Sequence, residues 1–272
     1  MFKPDPARSK KASAFAMAEL VFHSAIRDLR KSNSNAVLGL AISIFQSMVM
    51  VIVFLFMMSI MGGGNRGIRG DTLLYVMSGV FMFMTHTKTV SAVSKSDGPT
   101  APMMKHSPMN TIIAVVAAAL STLYQQTLSV FVILFFYHTM VRPISIDQPV
   151  GVAMMFLMAW GYGIAVGLAF KALTPWAPEL LGLGTTIYTR MNMIASGKMF
   201  VANATPTFIL SWFWWNPLFH IIDQSRGFVF LNYDPHYSTI EYPVKVTIAI
   251  LMIGLMAEHF TRRRASLSWG AK

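Results

Sequence analysis

The chain has 272 residues, 54% of them hydrophobic and only 12% charged, with a formal net charge of +11. A soluble domain of this length carries about twice that charge fraction, so a mean hydropathy of +0.53 points to an integral membrane protein. The absence of cysteine excludes disulfides and thiolate metal sites. The basic excess does not indicate nucleic acid. It gathers at the chain ends and in alternate loops, as the positive-inside rule requires.

Residues 1–35 read as a cytoplasmic N-terminus with seven basic residues: Lys3, Arg8, Lys10, Lys11, Arg27, Arg30 and Lys31. Within it, Ala12 to Arg30 sets Phe15, Leu20, Val21, Phe22, Ile26 and Leu29 among Glu19, Arg27, Asp28 and Arg30. That pattern suits an amphipathic helix on the cytoplasmic interface, or a short soluble helix packed on a partner. The following apolar run starts too late and continues too long for a signal peptide.

A transmembrane domain is expected over 36–261. Ser32 to Asn65 and His106 to Val141 hold no Asp, Glu, Lys or Arg, and each exceeds the ~20 residues a helix needs to cross the hydrocarbon layer. Six spans are expected: Ala36 to Met61, Thr72 to Val93, one within Met109 to Tyr137, Pro149 to Phe170, Glu179 to Val201, and Pro243 to Phe260. Gly62-Gly63-Gly64 ends the first, and Lys88 can snorkel at the inner end of the second. Arg262, Arg263 and Arg264 stop the last and open a basic cytoplasmic tail, 262–272. Counting Lys and Arg, the inner segments hold 15 and the outer loops 5 (Arg66, Arg69, Arg142, Arg226, Lys245). This places both termini in the cytoplasm.

Between the last two spans lies a broken aromatic segment, 203–242. Pro206 and Pro217 deny it one straight helix, and such backbone persists at membrane depth only when buried in protein or lining a cavity. Trp212, Trp214, Trp215, Phe219, Phe228, Tyr233 and Tyr237 could line a glycan path by stacking on sugar C–H groups, or form an interfacial aromatic belt. Arg190 and Lys198 fall inside the expected fifth span. Eight residues apart, they would lie ~12 Å apart along a helix and ~80° apart around it. Sharing one broad face, they suit an anionic passenger; snorkelling is the plainer alternative.

Chemistry is absent from the usual patterns. There is no G-x-x-x-x-G-K-[ST] loop for ATP, no H-E-x-x-H or other metal spacing among the seven histidines, and no G-x-S-G elbow at Ser196-Gly197. No enzyme is expected.

Ser196-Gly197, then Pro206, then Asn216-Pro217-Leu218-Phe219-His220 and Arg226 resemble a motif of the membrane subunit of type 2 ABC exporters. The capsular polysaccharide export permeases are the closest branch and the O-antigen export permeases the next. Arg27-Asp28-Leu29-Arg30 leading to Gly39 resembles the family's N-terminal pattern. The chain departs from it at Ile42 and Gln46-Ser47, where an aromatic residue and Glu-Pro are usual, and at Lys198, where an apolar residue is expected. The resemblance implies an all-α fold with six transmembrane helices, an N-terminal amphipathic helix and broken re-entrant helices between spans five and six. It implies residence in the inner membrane and a second copy of the chain. Two separate ATPase subunits would carry ATP and Mg, leaving this chain without cofactor or metal. It also implies a polysaccharide or glycolipid substrate, with periplasmic and outer-membrane export partners. Residues 96–106 would form the coupling helix, with Ser96, Asp97, Lys105 and His106 against the ATPase; an ordinary solvated loop fits the same residues. A small-molecule, drug, O-antigen or teichoic-type exporter and a non-transporting membrane scaffold are the competing readings.

Overall fold

The structure, a computed structural model, describes residues 10–31, 36–60, 71–97 and 111–268. Among them all regular structure is helical: α1 (Lys10–Lys31), α2 (Ala36–Ile60), α3 (Thr72–Ser94), α4 (Thr111–Met140), α5 (Pro149–Leu173), α6 (Pro178–Ala195), α7 (Thr207–Leu210), α8 (Pro217–Val229) and α9 (Glu241–Ser268). A single 3₁₀ turn, Ala202–Ala204, separates α6 from α7. The triglycine, Arg66, Arg69, Lys105, His106 and both chain ends lie outside the described residues.

Helix starts follow local chemistry. Pro149, Pro178 and Pro217 each open a helix, where a missing N–H costs nothing and the fixed φ is already helical. Asp71 caps α3 by accepting from the Leu73 amide at 2.9 Å, satisfying one of the donors a helix start leaves unpaired. At the other end of the chain α9 passes through Arg262, Arg263 and Arg264 and continues to Ser268. The helix runs through the three arginines because arginine is itself a good helix former.

Among the described residues four helices are long and apolar enough to cross a membrane: Val37–Ile60, Thr111–Met140, Pro149–Leu173 and Glu241–Arg264. α3 and α6, expected as the second and fifth spans, are not among them. α3 is the hub of the bundle, packed by α2, α4, α5 and α8. Its residues 74–87 are buried without a break, so its Ser, Thr and His side chains meet protein and need no apolar lipid-facing surface. Several return their proton to their own helix: Ser78 to Tyr75 O, Thr87 to Phe83 O and Thr89 to Thr85 O. That satisfies the hydroxyls without a polar partner across the interface. α5 lies against α3 on one side and α9 on the other, with Gly163 and Gly167 facing Thr89 and Val93 of α3 so closely that a Cβ would meet them at 2.8 Å.

α6 is the loosest member. Of its side chains only Asn192 is buried, while Leu180, Leu183, Ile187, Met191 and Ile194 are exposed. Tyr188 ties it to the bundle, its hydroxyl 2.9 Å from His86 Nε2 on α3 and 3.3 Å from the Tyr162 hydroxyl on α5.

Candidate functional site

Two polar regions stand out, one at each end of α3. At the start of α3 the residues of the Ser-Gly and Asn-Pro pairs meet, and each pair has a conformational reason. Ser196 is the C-cap of α6, and Gly197 follows with φ +69°, the left-handed stop that favours glycine. A Cβ on Gly197 would lie 2.4 Å from Phe219 Cδ2. α6 therefore ends at Ala195, short of the expected Val201. Asn216 is the N-cap of α8, accepting from the Leu218 amide at 3.0 Å, and Pro217 takes the first helical position. The Asn216 amide also donates to Asn192 Oδ1 at 3.0 Å and to Ala195 O at 2.9 Å. One side chain thus closes α6 and opens α8.

Arg226 locks this junction. It is 1% exposed and donates to the carbonyls of Gly197 (3.2 Å), Lys198 (2.6 Å) and Phe200 (2.9 Å). Its guanidinium lies 4.0 Å from the centre of the Tyr75 ring. Gly79 of α3 makes room, since a Cβ there would meet Arg226 Nη2 at 2.9 Å. Lys198, 2% exposed, turns inward as well. Its ammonium donates to Met193 O at 2.7 Å and sits over the Phe83 ring at 3.3 Å and the Phe54 ring at 4.8 Å. It caps the end of α6 inside an aromatic box, a cation–π setting. Around α8, His220 joins Trp214 O through Nε2 (2.8 Å) and accepts the Thr239 amide at Nδ1 (3.1 Å). Asp223 accepts from Tyr233 Oη at 2.5 Å and Ser238 Oγ at 2.7 Å. Burial, and then the Asp223 carboxylate, push the Tyr233 phenol well above its ordinary value.

The aromatic set expected to line a path divides. Trp212, Trp214 and Trp215 are 75%, 65% and 61% exposed and form an outward-facing rim after α7. Phe219 and Tyr233 are buried, filling the core around α8. Pro206 is the residue before α7. Arg190 and Lys198 do not share a face: α6 ends between them, Arg190 is exposed and Lys198 is enclosed.

At the far end of α3 the chain leaves the helix through Ser96 and Asp97. Buried Lys171, near the end of α5, donates to Ser96 O (2.7 Å), Ser96 Oγ (2.7 Å) and Asp97 O (2.9 Å). Asp97 Oδ2 pairs with Arg27 of α1 at 3.2 Å, and Asp28 Oδ1 lies 3.8 Å from the same arginine. One junction therefore joins α1, α3 and α5. Two open clefts flank the last turns of α3 and share Lys88, Ser91 and Lys95. One, of about 500 Å³, also has Ser43, Gln46 and Gln125 in its wall. The other, of about 450 Å³, has Arg190 and the threonines of α6. Lys88 Nζ is held by Ser43 Oγ at 2.8 Å, which also takes Gln126 Nε2 at 3.2 Å.

Lys171, Asn192, Gly79 and Ser43 were not singled out by sequence reasoning. Lys171 carried the one available signal, a cation in the last turn of a strongly apolar helix; the others signal only through neighbours distant in sequence. No protein-family model matches the chain, and no curated protein matches it in sequence.

Proposed function

We propose that this chain is the membrane permease subunit of an ATP-driven type 2 ABC exporter that moves an acidic, lipid-anchored capsular polysaccharide across the inner membrane. The observation that carries the reading is the outer junction. Ser196, Gly197, Asn216, Pro217 and Arg226, residues of the resemblance, are thirty positions apart at their extremes yet serve one helix stop, one helix start and the lock between them. In this reading α3 and α6 complete a set of six spans, α7 and α8 form the re-entrant hairpin between spans five and six, and both termini are cytoplasmic. α3 crosses the membrane sheltered by its neighbours, which is how polar spans are tolerated. The Trp212–Trp215 rim meets the outer interface or the emerging glycan.

The partners follow from the same reading: a second copy of the chain, two ATPase subunits that bring ATP and Mg, and envelope export proteins beyond. The Ser96–Asp97 junction is the contact that passes ATPase movement into the bundle, because Lys171 and Arg27 tie it to two further helices. Affinity purification of the full chain from its native membrane should bring down an ABC ATPase in equal amount, while the chain alone hydrolyses no ATP. Asp97→Ala should preserve that pairing and lower export. Because the native chain has no cysteine, Asn232→Cys gives a single reporter of topology. Its labelling only from the cytoplasmic side, or a chain that copurifies with no ATPase, would remove the exporter reading.

A further inference from the structure

The cleft between α3 and α6 has a one-sided chemistry. Its wall contains Lys88, Lys95 and Arg190, a set of Ser and Thr hydroxyls, and no carboxylate among the described residues. Lys95 is the C-cap residue that follows α3, seven positions after Lys88 and so close to the same face, ~10 Å further along the axis. Arg190 faces them from α6, which Tyr188 holds against α3. Neither Lys95 nor Arg190 enters an ion pair among the described residues. The carboxylates of the neighbouring cleft, Asp28 and Asp97, are engaged by Arg27. Lys95 and Arg190, with Lys88 on the shared wall donating to Ser43 of the neighbouring cleft, raise the potential of the cavity and attract an anion.

The hydroxyls add a second preference. Thr185, Thr186 and Thr189 each donate to a carbonyl one turn back on α6: Leu181 O at 2.8 Å, Gly182 O at 3.0 Å and Thr185 O at 2.9 Å. Their protons are committed, so what they offer the cleft is acceptor lone pairs. Cations for an anionic group and acceptors for hydroxyl protons suit a ligand that carries both. Room is provided by Gly182, where a Cβ would have nothing within 4 Å.

We infer that the α3–α6 cleft binds an anionic group, phosphate or carboxylate, flanked by sugar or glycerol hydroxyls. That the bound group belongs to an exported molecule rests on the exporter reading; the anion preference stands on the cleft itself. Lys198 has no part in it, being sealed in its aromatic box.

The test is calorimetric titration of the purified full chain in detergent with three probes: hyaluronan tetrasaccharide, neutral maltotetraose and dioctanoyl phosphatidylglycerol. One or both anionic probes should bind and the neutral sugar should not. Arg190→Gln and Lys95→Gln should each weaken binding tenfold or more, and raised salt should weaken it further. Gly182→Leu should abolish binding with thermal unfolding unlowered, since the new side chain enters the cleft and leucine favours a helix over glycine. Binding of the tetrasaccharide alone assigns the anion to a glycan, and binding of the phosphatidylglycerol alone assigns it to a lipid headgroup; either supports the site. Equal binding of maltotetraose, no binding of either anion, or wild-type affinity in Arg190→Gln would overturn it. Anion binding in a chain that pairs with no ATPase would sink the exporter reading and leave this inference intact.

Discussion

Arg226 and Arg190 are one residue type in opposite circumstances. At the α6–α8 junction Arg226 is enclosed, its donors given to three main-chain carbonyls and its face to Tyr75. At the α3–α6 cleft Arg190 is exposed, with hydroxyls and other cations for neighbours. A charged residue whose donors are spent on the chain itself acts as a fastener, whereas one that keeps them is open to a ligand. Lys198 and Lys95 repeat the contrast. Lys198 is consumed by Met193 O and two phenyl rings, whereas Lys95 faces both clefts.

The contrast is broken most severely at Arg226. Arg226→Met leaves the carbonyls of Gly197, Lys198 and Phe200 without this donor, at ~1–3 kcal/mol for each buried group left unpaired. Loss of the monodisperse peak in fluorescence-detected size exclusion is the expected result; a normal yield would mean that the α6–α8 junction is not a fastener. Gly197→Ala comes next. It combines a left-handed backbone, at ~1–2 kcal/mol for a residue with a Cβ, with overlap on Phe219 that adds ~1–3 kcal/mol of overpacking. Phe219→Leu in the same chain should recover part of the lost thermal stability, a coupling that a double-mutant cycle measures.

Asn216 sharpens the comparison by separating two roles. Asn216→Ala should lower stability by at least the ~1 kcal/mol of a lost N-cap. Asn216→Asp keeps the cap acceptor but loses the donors to Asn192 and Ala195, and it should be no more stable than the alanine variant. An aspartate variant of wild-type stability would confine Asn216 to capping α8. The smallest effect on folding belongs to Arg190→Gln, which should stay within ~0.5 kcal/mol of wild type while losing anion binding. If its melting temperature falls as far as that of the Arg226 variant, the two regions do not differ in kind.

Much of the helical framework was legible in the chain. The long uncharged runs, the capping Asp71 and the helix-opening prolines place α2, α4, α5 and the start of α3 within a few residues, because these signals act over a single turn. Ser196-Gly197 and Asn216-Pro217 are equally local once their backbone roles are recognised. The end of α6 was misplaced for want of that recognition: hydropathy continues through Met199 to Val201, but Gly197 turns the chain first. With the helix ended at Ala195, the arithmetic that set Arg190 and Lys198 on one face no longer connects them.

By itself the sequence determined that this is an apolar, helical, membrane-type chain broken by proline between α6 and α9, since composition and single-turn preferences suffice for that. Only the tertiary structure decided which charges are spent. Whether Lys198 meets Phe83, whether Arg226 reaches the carbonyl of Phe200, and whether Arg190 faces Lys95 all depend on how α3, α6 and α8 pack. The hub position of α3 was hidden for the same reason. Its polar residues lower its hydropathy, and only the helices around it show that no lipid needs to accommodate them.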